Sequence, residues 1–267
     1  MKRTALVPRL CVWLAIVPLL ALTGCDDDKK PDAKSGVGGA ASGGTAPAGS
    51  VAGAATSPPK PLPPRAPDVL VDDGGAYIGG ERIDYKSPDA QKKLAEVMTK
   101  HSTIMATSAM TVVAMRNART PDVVRTLTAV SGRAESVAIR TQNRDKKDMT
   151  IKVVTDDKAG KLPECTVVAM VLKDRATASW HIRGGVAKKY NKGMAGPDMS
   201  QTAEGMGQQW KTCPAGTALV LSGDDTTEWG LVFDISQMAD PRPPSPTNTY
   251  VIPRTTPIAG RAVKIGD

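Results

Sequence analysis

The stretch that decides the fold is residues 111–139, TVVAMRNARTPDVVRTLTAVSGRAESVAI. It opens on a short apolar run rich in β-branched residues, which predicts a buried strand. Thr120-Pro121-Asp122 then places a proline at the start of a helix whose apolar residues recur at helical spacing up to Val130. Gly132 ends this helix, and a second apolar run follows it. The stretch therefore predicts strand, helix and strand in succession.

Two further features precede this stretch. Residues 68–78 (DVLVDDGGAYI) are two short apolar runs around Asp73-Gly74, which predicts a hairpin. Ser87-Pro88-Asp89 supplies an N-cap and an N-terminal proline for an amphipathic helix. Residues 68–145 are therefore expected to form a first unit with the order strand, strand, helix, strand, helix, strand.

The second half shows a similar order. Strands are predicted at 166–172, 178–182 and 218–221, with helices after Asp198 and after Thr226. Thr120 and Thr227 are as far apart in the chain as Val113 and Val220, which indicates an internal repeat.

We therefore expect an α+β fold of two related small strand-strand-helix-strand-helix units with antiparallel or mixed sheets, residues 68–145 and 146–240. Two unrelated α/β pieces are the alternative. Residues 241–267 are expected to be a Pro-rich tail that adds one edge strand at Tyr250 and is otherwise disordered or loosely docked.

Residues 1–24 are predicted to be a signal peptide. Lys2 and Arg3 precede the apolar run 10–22 (LCVWLAIVPLLAL), which is too short to span a hydrocarbon core of about 30 Å. The motif Leu22-Thr23-Gly24-Cys25 resembles the bacterial lipobox. That resemblance implies diacylglyceryl transfer to the Cys25 thiol, cleavage before Cys25, and acylation of the new amino terminus by a fatty acid such as palmitate. An ordinary secretory signal is the alternative.

Residues 25–67 are expected to be a lipidated N-terminus and a disordered Gly/Ala/Pro linker, because this composition cannot bury enough apolar surface to offset its ordering entropy. Asp26 to Asp28 resemble the inner-membrane retention signal of enterobacterial lipoproteins, and a solvated spacer is the alternative. The predicted location is the cell envelope, with the chain anchored in a lipid bilayer through Cys25 and facing the periplasm; inner or outer membrane is left open.

Composition narrows the functional classes. The chain has 267 residues, 3% aromatics and a formal net charge of +8. Three of its positive charges, Lys2, Arg3 and Arg9, lie in the predicted signal peptide, so the mature chain is mildly basic and no nucleic-acid partner is expected. Nucleophile and phosphate-loop motifs are absent from the sequence, and His101 and His181 are far apart. We therefore predict no catalytic residue, no metal and no cofactor.

Two groups of residues are candidate structural or binding sites. Cys165 and Cys213 remain after processing and lipidation, and an even pair in an exported chain predicts a disulfide, with two free thiols as the alternative. A basic cluster around one predicted hairpin loop is a candidate contact for anionic lipid headgroups or a glycan polymer, and a solvated loop is the alternative. Its members are Arg140, Arg144, Lys146, Lys147 and Lys152.

The first unit resembles the periplasmic domain of the ExbD/TolR family. The resemblance rests on the order of four segments: a strand pair around a Gly turn, an amphipathic helix, a buried strand leading into a helix, and a final strand. Here they are Val69–Ile78, Ser87–Lys100, Val112–Leu127 and Gly132–Thr141. The second unit is similar in a fainter form.

The resemblance implies a periplasmic recognition or dimerisation domain. Family members carry an N-terminal transmembrane helix with a membrane-embedded Asp, whereas Asp26 to Asp28 are expected to lie outside the bilayer, so the proton-coupled role is not carried over. We expect a non-catalytic binding or scaffold module, accessory to a biopolymer transport or envelope complex, whose partners are envelope transport proteins or a second copy of the chain. Alternatives are an envelope spacer that contacts peptidoglycan, and an enzyme or sensor with a dispersed site.

Overall fold

The computed structural model describes residues 65–193, 196–211, 213–214, 217–239 and 249–266. The predicted signal peptide, Cys25 and nearly all of the linker lie outside these residues. The strands are β1 (Val69–Asp72), β2 (Gly75–Ile78), β3 (Glu81–Asp84), β4 (Ala109–Ala114), β5 (Ser136–Gln142), β6 (Asp148–Thr155), β7 (Val167–Val171), β8 (Thr177–His181), β9 (Lys188–Tyr190), β10 (Lys192–Gly193), β11 (Gly196–Pro197), β12 (Leu219–Gly223) and β13 (Thr249–Ile252). The helices are α1 (Ala90–Met105), α2 (Thr120–Ser131), α3 (Met199–Trp210) and α4 (Trp229–Ala239).

Eleven strands form one mixed sheet in the order β3-β2-β1-β4-β5-β6-β13-β12-β7-β8-β9. The strands β1-β2-β3 are an antiparallel meander, and β1 continues through parallel pairs to β4 and β5. The strands β7-β8-β9 and β7-β12-β13 repeat this arrangement from the other edge. The α+β prediction is confirmed at this level: four helices and a large mixed sheet.

Strand β6 lies at the centre of the sheet, antiparallel to β5 and parallel to β13. Because β6 meets one neighbour in each sense, β5 and β13 run in opposite directions, and the two halves are related by an approximate two-fold axis through the sheet. The predicted boundary between the two units, 145/146, lies in the turn of the β5–β6 hairpin.

The predicted hairpin at Asp73-Gly74 is present as β1 and β2. Gly75 has a φ of 144°, and a Cβ on it would lie 2.0 Å from the Ile83 carbonyl oxygen, so the turn requires glycine there. Strand β3 was not among the expected elements. It buries one apolar side chain, Ile83, which is a weak periodic signal.

The expectation of an edge strand at Tyr250 was wrong: β13 is an interior strand between β6 and β12. Tyr250 and Ile252 pack on the helical side of the sheet, and Val251 packs on the opposite side. Burial on both faces is typical of parallel strands covered from both sides, which explains the unbroken apolar run. The chain after β13 is also docked, since the Val263 N–H donates to the Ile182 carbonyl (2.9 Å).

Two apolar layers lie on opposite faces of the sheet. The larger contains buried residues from all four helices and from one face of the strands in both halves. The smaller covers the other face of the second half, where Val168, Trp180 and Val220 lie beneath Leu162, Val263 and Ile265. The corresponding face of the first half keeps Tyr77 and Thr111 exposed.

Candidate functional site

The two halves meet at a pair of equivalent threonines. Thr120, the first residue of α2, donates both its N–H (2.9 Å) and its hydroxyl (2.8 Å) to the Thr227 carbonyl oxygen. Arg119 and Glu228 form an antiparallel bridge beside them. The sequence interval of 107 residues between these threonines is the interval of the predicted repeat. The approximate two-fold axis therefore passes close to this contact, and each half presents a similar cleft beside it.

The cleft between the α1–α2 helices and the strand ends of the second half is open. Its volume is about 720 Å³, which is within the usual range of small-molecule sites. Its lining residues are Gln91, Leu94, Ala95, Met98, Thr120, Pro121, Val124, Arg125, Thr128, Ala129, Arg133, Ser222, Gly223, Asp225, Pro253, Arg254, Thr255 and Thr256. We call this space the open cleft.

Three arginines line the open cleft from two directions. Arg125 and Arg133 belong to α2 and its C-terminal turn, whereas Arg254 follows β13. The Arg125 guanidinium lies 4.7 Å from the centre of the Tyr85 ring, and Arg133 donates to a carbonyl of its own helix. Asp225 adds one carboxylate, which accepts a hydrogen bond from the Thr256 hydroxyl (3.0 Å).

Asp156 orients Arg254 and leaves part of its guanidinium available for hydrogen bonds to a ligand. The Arg254 Nε donates to Asp156 Oδ1 at 2.7 Å, and the Arg254 backbone N–H donates to Asp156 Oδ2 at 3.3 Å. Neither Nη atom of Arg254 hydrogen-bonds to a residue within the described ranges, and its side chain is 45% exposed. The carboxylate of Asp156 therefore holds the guanidinium in place while its outer edge remains open to a ligand.

The equivalent space in the other half is filled. The Asp234 carboxylate on α4 is only 4% exposed and receives two bonds of 2.8 Å from Arg116, one to each oxygen. Arg144 adds a third bond from Nε at 2.7 Å. Hydrogen bonding to Asp234 raises the pKa of Arg116, so this arginine stays charged. We call this arrangement the closed cleft.

The difference between the two clefts can be assigned to two positions. The repeat interval relates Arg116 to Gly223. In the sheet, Val113 of β4 pairs with Arg140 of β5, and its equivalent Val220 of β12 pairs with Val251 of β13. Arg140 is therefore equivalent to Val251. The same offset makes Arg144 equivalent to Thr255. The open cleft thus has glycine and threonine where the closed cleft has the two arginines that hold Asp234.

The predicted basic cluster is divided by the fold. Arg140 on β5 and Lys152 on β6 are exposed on the face of the sheet opposite the helices. Lys152 pairs with Ala138, which lies two residues before Arg140 on β5, so both basic side chains are on the same face. Lys146 and Lys147 lie in the hairpin turn and are exposed. Arg144 does not belong to this surface, since it binds Asp234.

The predicted disulfide is confirmed: Cys165 and Cys213 are bonded, with their Cα atoms 5.5 Å apart. Cys165 lies just before β7 and Cys213 just after α3, so the bridge ties this helix end to the sheet. His181 Nδ1 lies 2.9 Å from the Cys165 carbonyl oxygen. Cys25 lies outside the described residues, so its lipidation stays a prediction.

The described residues contain no group of three or more His, Cys, Asp or Glu that could hold a metal ion. Over the same ranges, no helix combines the length and apolar character needed to cross a membrane.

Sequence reasoning did not find the open cleft. Arg125, Arg133 and Arg254 are spread over two halves of the chain and form no motif. The sequence does contain one signal for the cleft. When the two halves are compared residue by residue, Gly223 stands at the position equivalent to Arg116.

A scan against protein-family models finds no match to this chain, and neither does a search of curated proteins or of solved structures.

Proposed function

We propose that this chain is a lipid-anchored envelope protein that faces the periplasm and acts as a non-catalytic binding or scaffold module. Its body would consist of two diverged copies of an ExbD/TolR-like unit. From each edge of the sheet, two antiparallel pairs are followed by two parallel pairs, and this repeated pattern supports duplication. The disulfide supports an oxidising compartment.

The observation that carries the binding role is the open cleft. A duplicated unit has two equivalent spaces, and the chain fills one with its own side chains and leaves about 720 Å³ free in the other. Arginine, threonine and apolar side chains suit recognition of a ligand, which supports binding rather than chemistry. The partner would be a component of a biopolymer transport or envelope complex.

In-cell photo-crosslinking tests the binding role. A photoreactive amino acid at Val124, which lines the open cleft, should yield a discrete crosslinked species. The matched control is the same amino acid at Val186, which is 92% exposed and outside the cleft. The mass of the adduct separates an envelope protein from a second copy of the chain or a peptidoglycan fragment. Identical patterns at the two positions would contradict a cleft-based binding function.

The anchor has its own test. Cys25→Ser should abolish fatty-acid labelling and move the protein from the membrane fraction to the soluble or unprocessed pool, because the acyl chains need this thiol and amino group. The control is Cys165→Ser, which changes a cysteine without removing the anchor. Equal labelling of the wild type and Cys25→Ser would refute lipidation at this position.

A further inference from the structure

The closed cleft demonstrates which chemistry this architecture accommodates. A carboxylate on the helix wall lies against two arginines supplied by the ends of β4 and β5. Three charge-assisted hydrogen bonds of 2.7–2.8 Å satisfy it in a site from which water is largely excluded. The anion that fits between these two walls is thus a carboxylate of the chain itself.

The open cleft has the positive charge and lacks such a built-in anion. The residue equivalent to Asp234 is Leu127, which is buried in the core and offers no charge. Arg125 and Arg133 on one wall and Arg254 on the other make no ion pair across the cleft within the described ranges. Asp225 lies at the β12–α4 loop and already accepts a bond from Thr256. Arg254 already pairs with Asp156, whereas Arg125 and Arg133 form no salt bridge within the described ranges. The positive charge of these two arginines favours an external anion in the cleft.

The open cleft also has an accessible apolar part. Val124 and Ala129 of α2 are half-buried and Ala95 of α1 is exposed, whereas Leu94 and Met98 are almost fully buried. A ligand that placed only a small anion here would leave this surface in contact with water, whereas one with an apolar body would cover it.

We propose that the open cleft binds a small organic acid, with its carboxylate held by Arg125, Arg133 and Arg254 and its apolar body against Ala95, Val124 and Ala129. This inference rests on the proposed function in that it uses the same cleft, and it names the ligand class. Arg254 contributes its free Nη edge, while Asp156 fixes its orientation.

Octanoate is a direct probe of this site. The ligands 1-octanol and octylamine have the same alkyl chain without a negative charge, and acetate has the carboxylate without the long alkyl chain. Octyl phosphate tests a different anion on the same chain. Titration of the mature chain monitored by NMR should show saturable binding of octanoate, weaker binding of acetate and octanol, and none of octylamine. Preference for octanol over octanoate, or for octyl phosphate over octanoate, would overturn the assignment to a carboxylate.

Two variants locate the site. Arg254→Gln should weaken octanoate binding roughly tenfold, since a charge-assisted bond is lost. Arg183→Gln, a change at an exposed arginine outside the cleft, should leave affinity unchanged. Equal affinity of Arg254→Gln and wild type would overturn the proposal.

A built-in competitor gives the sharpest comparison. Thr128 lines the open cleft on the arginine-bearing face of α2. Thr128→Asp supplies an internal carboxylate and should abolish octanoate binding. Thr128→Asn introduces a side chain of the same shape as aspartate without its charge and should retain octanoate binding. Thermal melts establish that both variants are folded. Loss in both, or retention in both, would overturn the proposal.

The outcomes separate this inference from the proposed function. A specific crosslink at Val124 together with no octanoate binding would overturn the ligand class alone. Octanoate binding together with no crosslink would support the ligand class and contradict a role in holding a macromolecular partner.

Discussion

Asp234 is the most constrained charge in the described chain. Its carboxylate is nearly inaccessible, and both its oxygens are used by Arg116 and Arg144. A buried ion cluster of this kind gives little net stability relative to an apolar replacement, but removal of one partner leaves the others without compensation. The cluster joins α4 to the strand ends of the first half, so its loss should be felt at the junction of the halves.

Asp234→Asn should lower the free energy of unfolding by about 3 kcal/mol. In double-mutant cycles, the coupling of Asp234 to Arg116 should exceed its coupling to Arg144, because Arg116 binds both oxygens and is 32% exposed, against 48% for Arg144. Urea denaturation of the single and double variants measures both energies. A larger coupling to Arg144 would contradict the bidentate geometry.

A second carboxylate, Asp72, makes stability depend on pH. The hydrogen bond from Arg82 (2.8 Å) lowers the pKa of Asp72 below its ordinary value of 3.8. The unfolded chain then binds a proton more readily, so the stabilisation from the charged form is present above pH 3.8 and is lost as the pH falls through the lower pKa of the folded state.

The stability difference between wild type and Asp72→Asn should therefore shrink as the pH is lowered from about 5 to about 2. Denaturation at a series of pH values measures this difference. Asp73→Asn, at an exposed neighbour, is the control and should follow the wild type. A difference that is constant over this range would show that Asp72 titrates alike in both states.

At the scale of elements, the two halves of the sheet differ in what covers their second face. In the second half, the chain after β13 lies over the sheet, and Trp180, which is 1% exposed, donates its indole N–H to the Arg261 carbonyl (2.9 Å). The first half has Arg140 and Lys152 on this face and no such cover among the described residues. The segment after β13 is thus a structural part of the second half.

Val263→Asp should lower the free energy of unfolding by about 2 kcal/mol or more, because it places a charge against the apolar layer around Trp180. Lys264→Asp, at the exposed neighbouring position, should change it by less than about 0.5 kcal/mol. Urea denaturation followed by tryptophan fluorescence measures both. Equal effects would show that the segment is not packed on the sheet.

The sequence predicted those elements whose periodicity reflects their burial. The helices starting at Thr120 and after Asp198 and the hairpin at Asp73-Gly74 follow local rules of capping and turn formation. The position of β13 could not be predicted, because an apolar run such as Tyr250 to Ile252 suits an edge or an interior strand. Its neighbours are decided by pairing with two separate parts of the chain, since Tyr250 pairs with Leu219 on one side and with Val153 on the other. The open cleft was missed for the same reason.

At the scale of the whole molecule, the described residues are built on one continuous eleven-stranded sheet with two similar ends. Its approximate symmetry is broken at the centre by β6, which replaces a direct contact between β5 and β13. It is broken again at the clefts, where Arg116 and Gly223 occupy equivalent positions with opposite consequences. The proposed duplication would account for both features: one copy would have kept a filled junction, and the other would have gained the open cleft.

The disulfide tests whether the two halves are also separate in stability. It joins the residue before β7 to the end of α3, with a sequence separation of 48, and the first half has no cysteine. Loop-closure entropy gives an upper figure of roughly 4 kcal/mol for such a bridge. Reduction, or the Cys165→Ala/Cys213→Ala double variant, should lower stability by up to that amount.

The loss should be local first. Since α3, β7 and β8 depend on the bridge and lie toward one edge of the sheet, hydrogen exchange should accelerate there under reducing conditions, while β1, β2 and β4 at the other edge keep their protection. Amide exchange followed by mass spectrometry, with and without reductant, resolves the two edges. Equal acceleration at both edges would mean that the sheet unfolds as one cooperative unit, because β6 and β13 then transmit the loss from one half to the other.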